Sequence, residues 1–310
     1  MPMSFVHARF FLLLMAVSAA FVNGEELANP LAEAPGIWAG DQTIARYENA
    51  YFSLRGHFVQ GGLLLGRLRQ SDAVRFGDHD LPLTDEKYFV LGLDRDAPST
   101  LTLTARSGDQ GSPVFEFPIA RRDYVIQRIE GVAQQHVTPD PAQVARSRRE
   151  SAKVGAARRQ RVQASDFLGG FEWPAQGPLT GVFGSQRVYN GEPRRPHYGV
   201  DVAGPVGAPV TAPAAGIVTL AEPDLFFSGG TLILDHGHGL SSTFLHLSRL
   251  LVKPGERIER GQRIAEIGAT GRATGPHLDW RMNWTRGAHS VRIDPQLLVH
   301  GSPELQSKKE

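Results

Sequence analysis

Gly275-Pro276-His277-Leu278-Asp279-Trp280-Arg281-Met282-Asn283-Trp284 reads as a β-strand entered from a turn. Side chains of a strand alternate between its two faces. His277, Asp279, Arg281 and Asn283 therefore point one way, and Leu278, Trp280, Met282 and Trp284 the other. The second face is wholly apolar and needs a core. The first is wholly polar and carries two groups able to bind metal. A solvated edge strand has the same pattern, but the glycine-rich loop from Gly268 to Pro276 delivers this strand close to other backbone.

Around that strand the chain is dense in Gly, Pro, Val and Thr. Short runs at Gly181–Gly184, Pro209–Ala212, Gly216–Leu220, Thr231–Leu234, Leu250–Val252 and Arg263–Ile267 read as strands with glycine and proline between them. An antiparallel β domain with short connections follows. Two more histidine segments lie within it, Pro196-His197-Tyr198-Gly199-Val200-Asp201 and Thr243-Phe244-Leu245-His246-Leu247-Ser248. Pro196, Gly199 and Gly204 oppose a helix, so His197 and Asp201 sit in a loop entering a strand. Standing alone, a His-x-x-x-Asp is commonly a surface pair, and a histidine between apolar neighbours is commonly a satisfied core residue. The co-occurrence of all three segments favours function. Together they bring three imidazoles and two carboxylates, the ligand types of zinc, and an imidazole off the metal can move protons.

Upstream, residues from about Leu27 to Pro139 show short β-type runs, among them Tyr88–Leu93, Ser99–Thr104 and Val114–Phe117. Their spacing predicts a small all-β sandwich. His57, His79 and Asp80 are scattered there and read as surface polar residues. From Pro141 the texture becomes helical, rich in alanine, arginine and glutamine, with Asp140 placed to cap it. Between Arg146 and Arg161 there are seven basic residues and one Glu. Such a segment reads first as a solvated linker. It can also be drawn to anionic polymer, or lie over the site groove and hold the protein latent.

The chain has 310 residues, 41% of them hydrophobic and 21% charged, which suits about two packed domains. A net charge of +1 gives no reason to expect a nucleic acid partner. Absence of cysteine excludes disulfides, thiolate metal sites and a thioether lipid anchor. The apolar run from Phe10 to about Val22, behind His7 and Arg9, reads as a cleaved signal peptide, so the membrane matters only during export. The predicted order is a signal peptide over 1–24, an all-β accessory domain over 25–139 and a basic helical linker over 140–170. A site domain over 171–300 and a tail over 301–310 follow. The implied location is the periplasm or the exterior.

From Gly177 to Pro295 the chain resembles the lysostaphin-type, LytM-like zinc metallopeptidases that cut peptidoglycan cross-bridges. Gly181-Val182-Phe183-Gly184, His197-Tyr198-Gly199-Val200-Asp201, Phe244-Leu245-His246-Leu247-Ser248 and Gly275-Pro276-His277-Leu278-Asp279 carry the resemblance in order and spacing. It implies a mainly β domain of the duplicated hybrid motif type and a peptidoglycan endopeptidase that uses one Zn2+ per chain. His197 and Asp201 match the first two metal ligands. His246 and His277 match the two catalytic histidines. His236 and His238 fall in a turn and receive no metal role. One position departs: Asp279 stands where the third ligand is a histidine. A ligand set of His197, Asp201 and Asp279 is richer in oxygen and admits other divalent metals. The alternative implied is a catalytically degenerate domain that binds cell wall and activates a partner amidase.

Overall fold

The apolar and polar faces read from the sequence stand on opposite sides of one twisted sheet. The computed structural model describes residues 44–108, 111–130, 141–160, 162–287 and 289–303, all within one compact unit. The signal peptide, Asp140 and the end of the tail lie outside those residues. No helix among the described residues is long and apolar enough to cross a membrane.

The first half of the described chain holds β1 (Ala45–Glu48), β2 (Phe52–Gly56), β3 (Leu63–Leu68), β4 (Ala73–Phe76), β5 (His79–Asp80), β6 (Tyr88–Gly92), β7 (Thr100–Arg106) and β8 (Val114–Pro118). They form two four-stranded sheets, ordered β1-β2-β3-β6 and β5-β4-β7-β8. In β7 the Thr-Leu alternation does what the sequence predicts: Leu101, Leu103 and Ala105 are buried, and Thr100 and Thr102 exposed. Phe52, Leu54, Phe89 and Phe117 meet them from the other strands. His79 and Asp80 are exposed as predicted, but His57 is not a surface residue, being 2% exposed.

A short strand β9 (Ile126–Ile129) leads to α1 (Pro141–Arg159). Next come β10 (Leu179–Gly181), β11 (Gln186–Tyr189), β12 (Glu192–Pro193), β13 (Val200–Ala203), β14 (Pro209–Thr211), β15 (Gly216–Leu225), β16 (Gly229–Asp235) and β17 (Leu240–Leu247). The last elements are β18 (Arg249–Leu250), β19 (Arg257–Ile258), β20 (Arg263–Glu266), β21 (His277–Arg286) and β22 (His289–Ile293). The main sheet runs β10-β13-β21-β17-β16-β15-β19, with β22 also on β21. It is antiparallel throughout, while β9 pairs with β11 in parallel and so ties the two halves together. Leu278, Trp280, Met282 and Trp284 are buried on its apolar side, as their alternation requires.

Polar contacts clamp the halves further. Arg122 donates to the buried Asp294 at 2.8 Å. Arg95 sends Nε and Nη2 to the carbonyl of Gly184 at 3.0 and 2.8 Å.

A candidate metal centre under a basic helix

Register alone brings the two acidic candidates together. β13 pairs with β21 so that Asp201 lies opposite Asp279, and directly opposed residues share a face. Leu245 of β17 flanks Asp279 on the other side. His197 reaches the pair from the loop before β13. That loop is pinned by its backbone: His197 N–H donates to the Ser185 carbonyl, and Gly184 N–H to the His197 carbonyl, both at 2.8 Å. Glycine is needed beside the carboxylates. A Cβ on Gly199 would stand 2.8 Å from Asp279 Oδ1, and one on Gly181 would collide with Asp201 Oδ2.

One ligand atom each from His197, Asp201 and Asp279 lies within 4.8 Å of the others. His197 Nε2 and Asp201 Oδ1 stand 3.2 Å apart, both shielded from solvent and both without a hydrogen-bond partner. Buried polar atoms without partners are rare, and here two converge on one point, as a cation would require. Burial alone would lower the pKa of His197. The facing Asp201 carboxylate and the charge of Asp279 outweigh it and leave the ring raised.

Asp279 is different. Arg281 grips it with Nε at 2.8 and 3.1 Å and Nη2 at 2.5 Å. Burial pushes the carboxyl up, but the guanidinium outweighs this and holds it below its ordinary value. Burial likewise lowers Arg281, and Asp279 brings it back above its usual value. The carboxylate therefore keeps lone pairs for a metal only alongside a permanent cation. His197 and Asp201 fit a divalent ion directly, and Asp279 fits as a shared ligand.

The two other histidines are each oriented by a backbone carbonyl. His246 presents Nδ1 to the Thr270 carbonyl at 2.8 Å, and His277 presents Nδ1 to the Gly275 carbonyl at 2.9 Å. A carbonyl can only accept, so each Nδ1 carries a hydrogen, and Nε2 is the ring atom left free of that contact. Their rings stand 4.8 Å apart, and His277 Nε2 is 3.9 Å from Asp201 Oδ1. Burial lowers the pKa of His246. Its backbone has φ 64°, a strained setting for a non-glycine residue. That twist lets the ring reach the site although Leu245 already occupies the adjoining strand position facing Asp279. His236 takes no part: its ring is fully buried and bonds Ala215 O and Ser242 Oγ.

Helix α1 is not a solvated linker, contrary to the first expectation. Ala157 is 3% exposed and packs with Val154 against Leu220 and Ile233. Arg158 donates to Thr243 Oγ1 at 3.1 Å. Thr243 is the cross-strand partner of both Ile233 and Arg281, so the helix lies on the polar face beside the site. Lys153–Glu222 and Arg146–Asp224 ion pairs fasten its rim.

The structure brings His197, Asp201, His246, His277 and Asp279 into one neighbourhood. Sequence reading missed the work of Arg281, although the alternation of β21 had already put that residue on the Asp279 face. It also missed Arg158, Arg195 and Arg292, which converge in the same groove from three separate segments.

Residues 195–295 match the family model of peptidase family M23. Over 87 residues the chain is 41% identical to the peptidoglycan DD-endopeptidase ShyA of Vibrio cholerae, covering 28% of this chain and 20% of that protein. It is 39% identical over 110 residues to the lipoprotein NlpD/LppB homolog of Pseudomonas aeruginosa, covering 36% of this chain and 35% of the relative. A crystal structure from Pseudomonas aeruginosa described as an M23 peptidase is 30% identical, with a TM-score of 0.58 over 77% of this chain and 93% of that one. The chain thus spans a fifth of ShyA and nearly all of the solved neighbour.

Proposed function

Because the chain belongs to peptidase family M23, we propose that it is a metal-dependent endopeptidase that hydrolyses cross-link peptides of peptidoglycan. The convergence of His197 Nε2 and Asp201 Oδ1, buried and without hydrogen-bond partners, carries this reading. His197, Asp201 and Asp279 would hold the ion, zinc being the family's metal. Such an ion supplies Lewis-acid polarisation of the scissile carbonyl and lowers the pKa of water toward ~7. The rest is done by the chain. His246, whose pKa burial lowers and whose ring the Nδ1–H bond to Thr270 fixes in place, accepts a proton at Nε2. His277, oriented by Gly275, presents its own Nε2 to the same space and returns a proton to the departing amine. Arg281 keeps Asp279 ionised without contact with metal. Periplasmic or secreted placement follows from the export signal read in the sequence.

The test combines metal analysis with hydrolysis of purified cell wall. One divalent ion per chain and activity abolished by chelation are the expected results. A metal-free protein that leaves cell wall intact after zinc addition would overturn the reading.

One observation favours a second reading, that of a non-catalytic domain activating a partner amidase. The Arg281 grip on Asp279 would make that carboxylate a structural residue and leave two ligands only. Replacing Asp279→His separates the two. A working ligand site retains its ion and changes metal preference, whereas a decayed site binds metal only after the substitution.

A further inference from the structure

Between α1 and the sheet lies a groove of about 350 Å³, next to the metal candidates. Arg158, Arg195, Arg281 and Arg292 line it. Only Arg281 has an acidic partner, Asp279. Among the described residues no ion pair joins Arg158, Arg195 or Arg292 to a carboxylate. Glu150 also borders the groove, but it is taken by Arg146 at 2.6 Å and by the Phe226 N–H at 2.8 Å.

The guanidinium contacts of those three arginines are with neutral groups, while the Arg292 backbone N–H donates to Asp94 Oδ1 at 3.3 Å. Arg292 donates to Asn283 Oδ1 at 3.0 Å, and both Arg292 and Arg195 lie 5.5 Å from the Tyr198 ring centre, flanking it. Arg158 bonds Thr243, and its Nε is buried with no hydrogen-bond partner. Desolvation, and after it the charges of Arg292, Arg281 and Arg195, pull Arg158 well below the usual arginine range. Burial followed by Arg281 and Arg195 brings Arg292 to about 10. Arg195 is exposed at the groove's rim, but Arg158 and Arg292 are partly buried beside it; like charges so placed repel, and an anion among them relieves both the repulsion and the missing hydrogen bond. Guanidinium forks match a carboxylate in two parallel bonds. Leu225 and Leu245 supply aliphatic wall beside the charges.

Resting on the peptidase reading, we propose that Arg195, Arg292 and Arg158 form a carboxylate pocket that receives a free carboxylate of the substrate peptide and so selects acidic or uncapped stem peptides. The carboxylate can be the peptide's C-terminus or an acidic side chain, and the pocket chemistry is the same for both.

Calorimetric titration of the full chain in chelator tests it without turnover. Three short D-alanyl peptides are used: a free acid, its C-terminal amide, and an amide carrying one glutamyl side chain. The free acid or the glutamyl peptide should bind at least tenfold more tightly than the plain amide, and which of them does so identifies the source of the carboxylate. Arg292→Gln and Arg195→Gln should each shrink that preference to about twofold, while Arg249→Gln, an exposed arginine on β18, leaves it intact. Equal binding of all three peptides, no binding of any, or a preference surviving in both variants would overturn the pocket. Unsubstituted protein gives a check independent of variant folding: acetate must displace the preferred peptide where chloride at equal ionic strength does not, and failure of displacement also overturns it. If selectivity holds while the metal-loaded protein never cuts cell wall, the peptidase reading falls and the pocket stands.

Discussion

Two polar regions sit at opposite ends of β17. At one end is the turn after Asp235, where the fully buried His236 is bonded at both ring nitrogens and Asp235 accepts from the Gly237 N–H at 2.7 Å. At the other, about 20 Å along the strand, His246 joins His197, Asp201 and Asp279, where His197 Nε2 and Asp201 Oδ1 are buried without hydrogen-bond partners. Both regions look alike in sequence, a histidine close to an aspartate among apolar residues. The turn is complete without a ligand and serves the fold. The site leaves His197 Nε2 and Asp201 Oδ1 unsatisfied by the chain itself. Unsatisfied burial, more than residue type, separates a site from a strut.

His197→Ala gives the largest expected departure from that contrast. Cell-wall hydrolysis should fall at least about a thousandfold, about 4 kcal/mol in activation terms, while the metal-free protein melts no lower than the parent. A large drop in melting temperature with hydrolysis retained would place His197 in the same class as His236.

Arg281→Met comes next. It strands Asp279 as a buried charge and should remove about 3–4 kcal/mol of stability in chelator. Saturating divalent metal should recover part of this if Asp279 is a ligand. Denaturant titration with and without zinc reads both, and no recovery at all would leave Asp279 a purely structural partner of Arg281.

His236→Gln tests the turn. The buried ring has its pKa lowered to about 4. Because the unfolded chain takes up a proton first, this histidine's contribution to stability is full above pH 6.5 and is lost as pH falls from 6.5 through about 4, by about 3 kcal/mol. Asp235, raised by burial to about 6, acts oppositely: it favours the fold at low pH and loses that contribution as pH rises toward 6. In the parent the two slopes largely offset. Without His236 the Asp235 slope stands alone, and the variant should gain on the parent steadily between pH 6.5 and 4. Parallel stability curves would show that His236 is not held neutral.

The smallest effect belongs to the cover. Ala157→Asp puts a charge where Leu220 and Ile233 pack, and should undock α1. Hydrolysis should then rise about tenfold, equivalent to about 1.4 kcal/mol, while the preference for a free carboxylate, to which docked Arg158 contributes, weakens. An unchanged rate would show that substrate enters without moving the helix.

Most of the fold was legible because β-strands that divide core from solvent must alternate. β7 and β21 both announce themselves that way, and the second exposes half of the site. His57 misled because one polar residue between strands carries no periodicity to reveal its burial. The basic helix misled for a related reason: its apolar contact is made by Val154 and Ala157, and alanine is also what a solvated helix contains. The arginine cluster could not be read at all. Arg158, Arg195 and Arg292 are distant in the chain and meet only through α1 docking and the β21–β22 hairpin.

The parallel ladder between β9 and β11 has a kinetic consequence. Ile129 is held beside Tyr189, and Phe167 is bonded through its N–H to His236 O, so the stretch bearing α1 is moored at both ends. A released helix cannot diffuse away. It competes for the groove at a local concentration on the order of millimolar, which dilution of the protein does not reduce. Peptides in free solution would then face first-order recapture of the groove, while a polymer offering many linked peptides at once would keep it open by repeated occupancy.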